Sequence, residues 1–398
     1  MRCFAVALVL CLLPGNESGA APVTFPLEAQ LEWSHTSPAT VGLDEAALRA
    51  LDVEIGQGRY ALVDHLLIVR CGARAFERQY AHDYSSIYRA QARERGPLNA
   101  HLTGPYNYFD VRWHPYLQNT DLHTLQSATK SLTSVIYGVA ITRGDFKASL
   151  NTPVLHYFRS SAVRNVDDRK RRMTLRNILT MSTGLDWNED LALDDPANPA
   201  IQMEASDDWV QYVIDRPMVK EPGTVFTYSS GASELLAFIF RAETGQDLER
   251  YAERYLFAPL GIKKHYWKRT PQNLVDTEGG LYLRAEDLAK IGQLYLNRGL
   301  WRGHVLVSSD WVAESLEPRF DGGAGWRYGY QWWLRPHGAA GTLAFAARGF
   351  GGQLLLVDPA ARLIVVMNGW NIVEDVSGAR DAIDALLATV RAPTCPAH

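Results

Sequence analysis

Gln126-Ser127-Ala128-Thr129-Lys130-Ser131-Leu132-Thr133-Ser134 opens a helical pattern with a serine and a lysine three residues apart. Residues at i and i+3 of a helix are neighbours on one face, so the Lys130 amine reaches the Ser127 hydroxyl. A serine hydroxyl is a weak nucleophile until an adjacent base takes its proton, and a partly desolvated lysine can be that base. The pair alone carries little weight. With eight lysines and twenty serines in 398 residues, chance supplies about 0.4 such pairs. The helix, from about Ser127 to Thr142, has two stripes. Leu132, Val135, Ile136 and Val139 are apolar, while Ser127, Lys130, Ser131, Ser134 and Gly138 are polar or small. An ordinary solvent face usually carries several charges. This second stripe has only Lys130, as expected of a helix buried on both sides with chemistry at its first turn.

Working outward, Asp44 reads as the cap of a helix through about Ile55. Leu66 to Arg70, the Cys71-Gly72 turn and Ala75 to Tyr80 read as a β-hairpin. Residues 81–123 have little period and read as an ordered excursion. From 153 to 275 the pattern is mostly helical: Thr174 caps a short helix that stops at Gly184, Ser206 caps Asp207 to Asp215, and others span Ser230 to Glu243 and Leu248 to Leu256. Helices follow at Ala285 to Asn297 and Ser309 to Leu316. Strands are expected at Tyr328 to Leu334, Leu343 to Ala347, Gln353 to Val357 and Leu363 to Met367, then a last helix at Ala379 to Val390. Strands at both ends with helices between them imply a discontinuous α/β (α+β) domain, 44–152 plus 276–392, with a helical domain, 153–275, inserted.

Net charge is −4, 47% of residues are apolar and 21% are charged, which is ordinary for a globular enzyme. No basic block provides a nucleic-acid footprint. The densest charge run, Asp167 to Arg172, mixes signs and reads as a solvated surface. Residues 1–20 read as a secretory leader, with Arg2, an apolar run from Cys3 to Leu13, and Ser18-Gly19-Ala20 at the cleavage site. That run is well short of the ~20 residues that span a bilayer. An exported protein without stable membrane insertion is therefore expected. Cleavage leaves Cys71 and Cys395, which either form one disulfide or remain a buried and an exposed thiol.

Two later stretches matter. Glu221-Pro222-Gly223-Thr224-Val225-Phe226-Thr227-Tyr228-Ser229-Ser230-Gly231 runs from a tight turn into a helix. A tyrosine there can aim its hydroxyl into a cleft, where a lysine ammonium would favour the phenolate, or it can simply pack its ring. Tyr84-Ser85-Ser86 repeats the tripeptide but lacks the Pro-Gly turn before it and the apolar helix after it. Ala347-Arg348-Gly349-Phe350-Gly351-Gly352-Gln353 lies between two strand patterns. Its glycines allow close approach of a substrate, and a strand-edge N–H can join an oxyanion hole; the alternative is a plain glycine turn.

In order and spacing the three stretches resemble the serine β-lactamase and penicillin-binding-protein superfamily, with its Ser-x-x-Lys, Tyr-x-Asn and Lys-Thr-Gly signatures. Leu175 to Leu185 and Gly280 to Ala289 add to the likeness, which covers roughly Gly42 to Val390. It is greatest to the class C-like branch of lactamases, esterases, D-amino-acid peptidases and 6-aminohexanoate-dimer hydrolases. The Gly184-Leu185-Asp186-Trp187-Asn188-Glu189 segment looks most like the last group. The resemblance implies Ser127 as nucleophile, Lys130 as its activating partner and Tyr228 as proton shuttle. It also implies an oxyanion hole from the Ser127 and Phe350 N–H groups, and substrate contacts from Ser230, Arg348, Gly349 and Trp187. Ser230 stands where the family has Asn, and Ala347 where lactamases have a carboxylate-binding lysine. The second departure argues against efficient lactamase activity, with Arg348 able to replace part of the charge.

The expected activity is hydrolysis of a small ester or amide through an acyl-enzyme. A D-Ala-type peptidase or weak β-lactamase acting on cell-wall material is the alternative within the fold, and a non-catalytic binding protein the alternative outside it. No cofactor and no metal are expected, and His82, His123 and His265 read as isolated. Trp187, Trp209, Trp326, Trp332, Trp333 and Trp370 could line an apolar cleft, but most read as core, with Trp187 the one expected in the cleft. The sequence sets no oligomeric state.

Overall fold

The computed structural model describes residues 33–159, 162–191, 195–336, 343–373, 377–391 and 395, with the side chains of 377–381 left out. The leader expected at 1–20, with Cys3 and Cys11, lies outside the described residues. The described residues form one compact unit.

In chain order, α1 (Glu45–Gly56) precedes the hairpin β1 (Val63–Arg70) and β2 (Ala73–Gln79). The excursion holds α2 (Tyr84–Ile87) and ends in β3 (His123–Thr124), followed by α3 (Ala128–Arg143). The helical stretch contains α4 (Asp168–Arg172), α5 (Leu175–Leu179), α6 (Pro199–Glu204), α7 (Trp209–Ile214), α8 (Ser230–Thr244), α9 (Leu248–Ala252) and α10 (Ala258–Leu260). Then come β4 (Tyr266–Trp267), β5 (Leu281–Leu283), α11 (Ala285–Leu296), β6 (Leu300–Trp301), β7 (His304–Val305) and α12 (Ser309–Ser315). The last elements are β8 (Phe320–Gly323), β9 (Trp326–Tyr328), β10 (Trp333–Pro336), β11 (Leu343–Gly349), β12 (Gln353–Asp358), β13 (Leu363–Gly369) and α13 (Ser377–Leu387).

Eight strands form one antiparallel sheet in the order β2-β1-β13-β12-β11-β10-β9-β8. Every residue of β1, β12 and β13 is buried, because helices cover both faces. Leu48, Leu51 and Ile55 of α1 join Leu66 and Ile68 of β1 and Leu386 of α13 in one core. On the other face α11 packs on β12 and β13, and α3 packs on β11. This is the expected α/β class with an antiparallel sheet, and residues 153–275 between its two halves are helical apart from β4.

Local chemistry accounts for most of the element ends. Asp44 accepts the Ala46 and Ala47 N–H groups at the start of α1, and Thr174 makes a reciprocal capping box with Asn177. Gly144 and Gly245 stop α3 and α8 in the left-handed region. Four expectations need correction. Asp208, not Ser206, caps α7, because its carboxylate accepts from Gln211 N while Ser206 Oγ turns back to Met203 O. The strand expected from Tyr328 to Leu334 is two strands, broken where Gln331 has φ 63° and its amide side chain bonds Ile178 and Leu179 carbonyls. The helix expected to Leu256 leaves α-geometry after Ala252 for one π-turn, Glu253–Phe257. The last helix begins earlier and ends at Leu387.

Cys71 and Cys395 are bonded, with Cα atoms 5.7 Å apart, so the tail is tied to the β1–β2 turn. No helix among the described residues is long and apolar enough to cross a membrane.

Candidate active site

Residues Ala128 to Ala140 of α3 are buried, on both stripes. Gly138 is what lets the small stripe close, since a Cβ there would lie 2.3 Å from the Trp311 ring. The helix begins abruptly: Gln126 has φ 46°, and Ser127 follows with helical dihedrals and no capping bond from its side chain. The Ser127 hydroxyl is thus left to face Lys130, whose Nζ donates to it at 2.8 Å. Lys130, 1% exposed, also donates to the Glu278 carbonyl at 2.7 Å and to Ser230 Oγ at 3.2 Å, and lies 3.4 Å from Glu278 Oε2.

Tyr228 arrives from the turn before α8 and lines the cleft beside Ser127, with its hydroxyl in electrostatic contact with Ser127 and Lys130. Its ring stacks on Trp333 at 5.7 Å between centroids, and Lys130 Nζ is 5.3 Å from its centre. Burial drives the tyrosine hydroxyl up; the Lys130 ammonium opposes this without overcoming it. Burial pushes Lys130 down, but the Glu278 and Glu189 carboxylates it faces act against this and help hold the ammonium form. In the resting site both groups are therefore protonated at neutral pH.

The third stretch closes the site from the sheet. A Cβ on Gly349 would lie 2.2 Å from the Leu125 carbonyl, so glycine is what allows the end of β11 to meet the segment leading into Ser127. Gly351 and Gly352, at φ 82° and 104°, carry the turn beyond Phe350. Ser127, Trp187, Tyr228, Ser230, Arg348 and Phe350, with Gly349, line one cleft of about 1150 Å3. The three stretches, far apart in sequence, thus meet at one place. Arg348 lies over the rings of Trp326 and Trp333, at 5.0 and 5.2 Å, and both rings line the cleft beside Trp187. Trp326 is at the same time part of the main core, with Trp333 packed against it, and Trp209, Trp332 and Trp370 are buried as expected. Ala347 is fully buried in β11 and brings no charge.

Sequence reasoning missed four groups. Glu189 accepts from Trp187 Nε1 at 2.6 Å, Ser230 N at 2.7 Å and Ser230 Oγ at 3.0 Å. Burial raises its carboxyl against the pull of Lys130. Glu278, Glu204 and Tyr108 also line the cleft, and Tyr108 donates to Glu204 at 2.9 Å. The one available signal was indirect: a buried lysine needs counter-charge, and neither Ser127 nor Tyr228 supplies it at rest. The histidines are not isolated. His123 pairs with Asp64 at 3.1 Å, and Tyr84 of the repeated tripeptide donates to the same Asp64 at 2.8 Å. His265 meets Glu249 and Glu253, ligand atoms lying within 4.8 Å of one another. Arg269 already pairs with Glu249, and none of the three lines the cleft.

A sheet with helices on both faces and a serine–lysine–tyrosine cluster at the end of one of its inner strands is the arrangement of the serine β-lactamase superfamily. The chain matches the Beta-lactamase family over residues 106–388 and belongs to it. It is 26% identical over 301 residues to the 6-aminohexanoate-dimer hydrolase of Paenarthrobacter ureafaciens, covering 66% of this chain and 73% of that one. A putative D-alanyl-D-alanine carboxypeptidase of Escherichia coli O157:H7 is 25% identical over 202 residues, 38% of this chain and 46% of the other. Among solved structures, a putative 6-aminohexanoate-dimer hydrolase from Bacillus anthracis superposes with TM-score 0.63 at 20% identity, covering 86% and 80% of the two chains. The protein is a hydrolase of this superfamily.

Proposed function

We propose that the protein cleaves a small ester or amide through an acyl-enzyme on Ser127. The observation that carries this is the 2.8 Å contact between Ser127 Oγ and a buried Lys130 at the foot of an open cleft. Ser127 Oγ attacks the acyl carbon while its proton passes to the Lys130–Tyr228 pair. Tyr228 hands that proton to the leaving alkoxide or amine, and water then releases the acyl group by the reverse sequence. The N–H groups of Ser127 and Phe350 receive the negative charge that develops on the carbonyl oxygen. Arg348, Ser230, Gly349 and Trp187 contact the substrate. The likeness to an amide hydrolase supports an amide with apolar flanks, which the aromatic walls of Trp187, Trp326 and Trp333 suit. Residues 1–20 act as an export leader, so the enzyme meets its substrate outside the cytoplasm.

The carboxypeptidase relative favours a second reading, a D-Ala-type peptidase acting on cell-wall material. One experiment addresses both. Wild type and Ser127→Ala are assayed on p-nitrophenyl butyrate, linear amides, a D-Ala-D-Ala peptide and a chromogenic cephalosporin, with intact-mass detection of the acylated serine. Ser127→Ala should lose activity by a factor of at least 10³, and undiminished turnover would overturn the proposal. Preference for D-Ala-D-Ala would favour the second reading.

A further inference from the structure

Lys130 presents a chemical difficulty. As an ammonium ion it cannot accept a proton from Ser127, and Tyr228 is protonated as well. The groups behind it offer a way out. Glu278 touches Lys130 through its carbonyl at 2.7 Å and its carboxylate at 3.4 Å. Glu204, from the end of α6, lines the same cleft and interacts electrostatically with that carboxylate. One layer deeper, Glu234 Oε1 accepts the Glu278 N–H at 2.7 Å, and Asp276 Oδ1 accepts the Gly279 N–H at 2.7 Å. Tyr106 donates to Asp276 and Tyr108 to Glu204. Lys268 faces Asp276 at 4.0 Å, and Glu189 faces Lys130 through Ser230.

Five carboxyl groups, Glu189, Glu204, Glu234, Asp276 and Glu278, therefore meet two ammonium groups, Lys130 and Lys268. Like charges this close in a water-poor interior cannot all ionise, so the cluster retains protons. Burial raises Glu204, Glu234, Asp276 and Glu189, with the neighbouring carboxylates adding to it in each case. Glu278 alone among the five is lowered: burial pushes it up, and the Lys130 and Lys268 charges overcome that. Glu278 is thus the member whose ionisation the cluster favours most, and it is the one whose carboxylate lies 3.4 Å from the Lys130 ammonium.

We propose that Glu278 takes the proton that Lys130 must shed before Lys130 can act as a base. This rests on Ser127 being the nucleophile. One N–H bond of the Lys130 ammonium breaks and one O–H bond forms on the Glu278 carboxylate, leaving an amine beside a neutral acid. The amine removes the Ser127 proton as Oγ bonds to the acyl carbon and the carbonyl π pair moves onto oxygen. Lys130, again an ammonium, passes a proton through Tyr228 to the leaving group, and Glu278 returns its own proton to the amine. The net transfer is one proton from Ser127 to the leaving group, with Lys130 and Glu278 restored. The ion pair is the resting state; proton transfer within it is an uphill step that bond formation to the acyl carbon draws forward. Glu278 acts through Lys130, not on the substrate.

The test is Glu278→Gln and Glu278→Asp, read as the pH profile of Ser127 acylation with an activated ester. Wild type should acylate at a rate nearly flat from about pH 6 to 8. Glu278→Gln should lower kcat about 10²-fold at pH 7 with KM little changed, in the range general-base groups contribute. Its rate should then climb tenfold per pH unit as solvent takes over deprotonation of Lys130. Glu278→Asp, with a carboxylate one carbon shorter, should restore most of the flat profile at reduced rate. Acylation by Glu278→Gln at the wild-type rate across the range would overturn the proposal, as would a rise in KM alone. Should Glu278→Gln not fold, as judged by its circular dichroism, Glu278→Asp carries the test, and a sloped profile for it would count against the proposal. Mass labelling of Ser127 in the wild type separates the two ideas: no label ends the nucleophile reading, while a label with unaltered Glu278 variants ends only this one.

Discussion

Gly231→Ala sets two well-characterised effects against each other. Gly231 is the second residue of α8, where alanine improves helix propensity by about 0.8–1 kcal/mol. The added Cβ would meet Trp187 Cη2 at 2.4 Å, Trp187 Cζ3 at 2.6 Å and Val213 Cγ2 at 2.7 Å. Ordinary carbon contacts lie at about 3.5–4.0 Å, so the indole must retreat by roughly 1 Å. Overpacking of this kind costs about 1–3 kcal/mol. The upper half of that range applies, because the new methyl is caught between two side chains from different elements. Net destabilisation should be about 1–2 kcal/mol. The displacement also reaches the chemistry: Trp187 Nε1 holds Glu189, and Glu189 holds Ser230 beside Lys130. A fall of about tenfold in kcat/KM, equivalent to about 1.4 kcal/mol, should accompany the loss of stability. Urea unfolding gives the first quantity and ester turnover the second. Trp187→Phe removes the ring atoms nearest the new methyl, so in the double mutant the cost of Gly231→Ala should shrink by at least 1 kcal/mol. A Gly231→Ala protein more stable than wild type, with full activity, would refute the reasoning.

Two further predictions concern the rest of the unit. Peptide mapping without reduction should find Cys71 joined to Cys395, and Cys395→Ser should lower stability by about 2–4 kcal/mol, since the link closes a separation of 324 residues; two free thiols would sink it. Burial and the Glu278 charge push Glu204 up to about 8. Between the ordinary carboxylate value and about pH 8 the folded chain thus keeps a proton that the unfolded chain has released, so stability falls as pH rises. Because Glu204 opens on the cleft, solvent screening leaves about 2 kcal/mol of this. Urea melts at pH 5 and 8.5 should show that decline in wild type and a flatter dependence in Glu204→Gln; equal slopes would refute it.

The reach of the sequence is clearest at α3. Two stripes on one helix and a single charge were enough to predict a helix buried on both sides. Turn glycines and capping side chains act over a few residues, so α1, α8, the last three strands and the start of α5 were legible, whereas α5 ends at Leu179 and not at Gly184. Tyr328 to Leu334 was not, because nothing local announces that Gln331 is claimed by carbonyls of α5. The same holds for the acidic groups. Glu189 sits in a quoted segment and Glu278 beside a recognised one, yet a carboxylate bound for the interior reads like any surface acid. Its role is fixed by a lysine more than fifty residues away.

The sheet order also governs how the chain acquires its structure. β1 pairs with β13, the last strand to be made. The first hairpin therefore cannot find its neighbour until Leu363–Gly369 exists, and β1 is apolar along most of its length. No N-terminal fragment can complete this sheet, so folding has to wait for nearly the whole polypeptide. Pairings this distant in sequence are slow to form. For much of its synthesis the chain carries an open strand edge that another polypeptide could occupy, and a chaperone that shields β1 would raise the yield of folded protein more than one acting on the helical stretch.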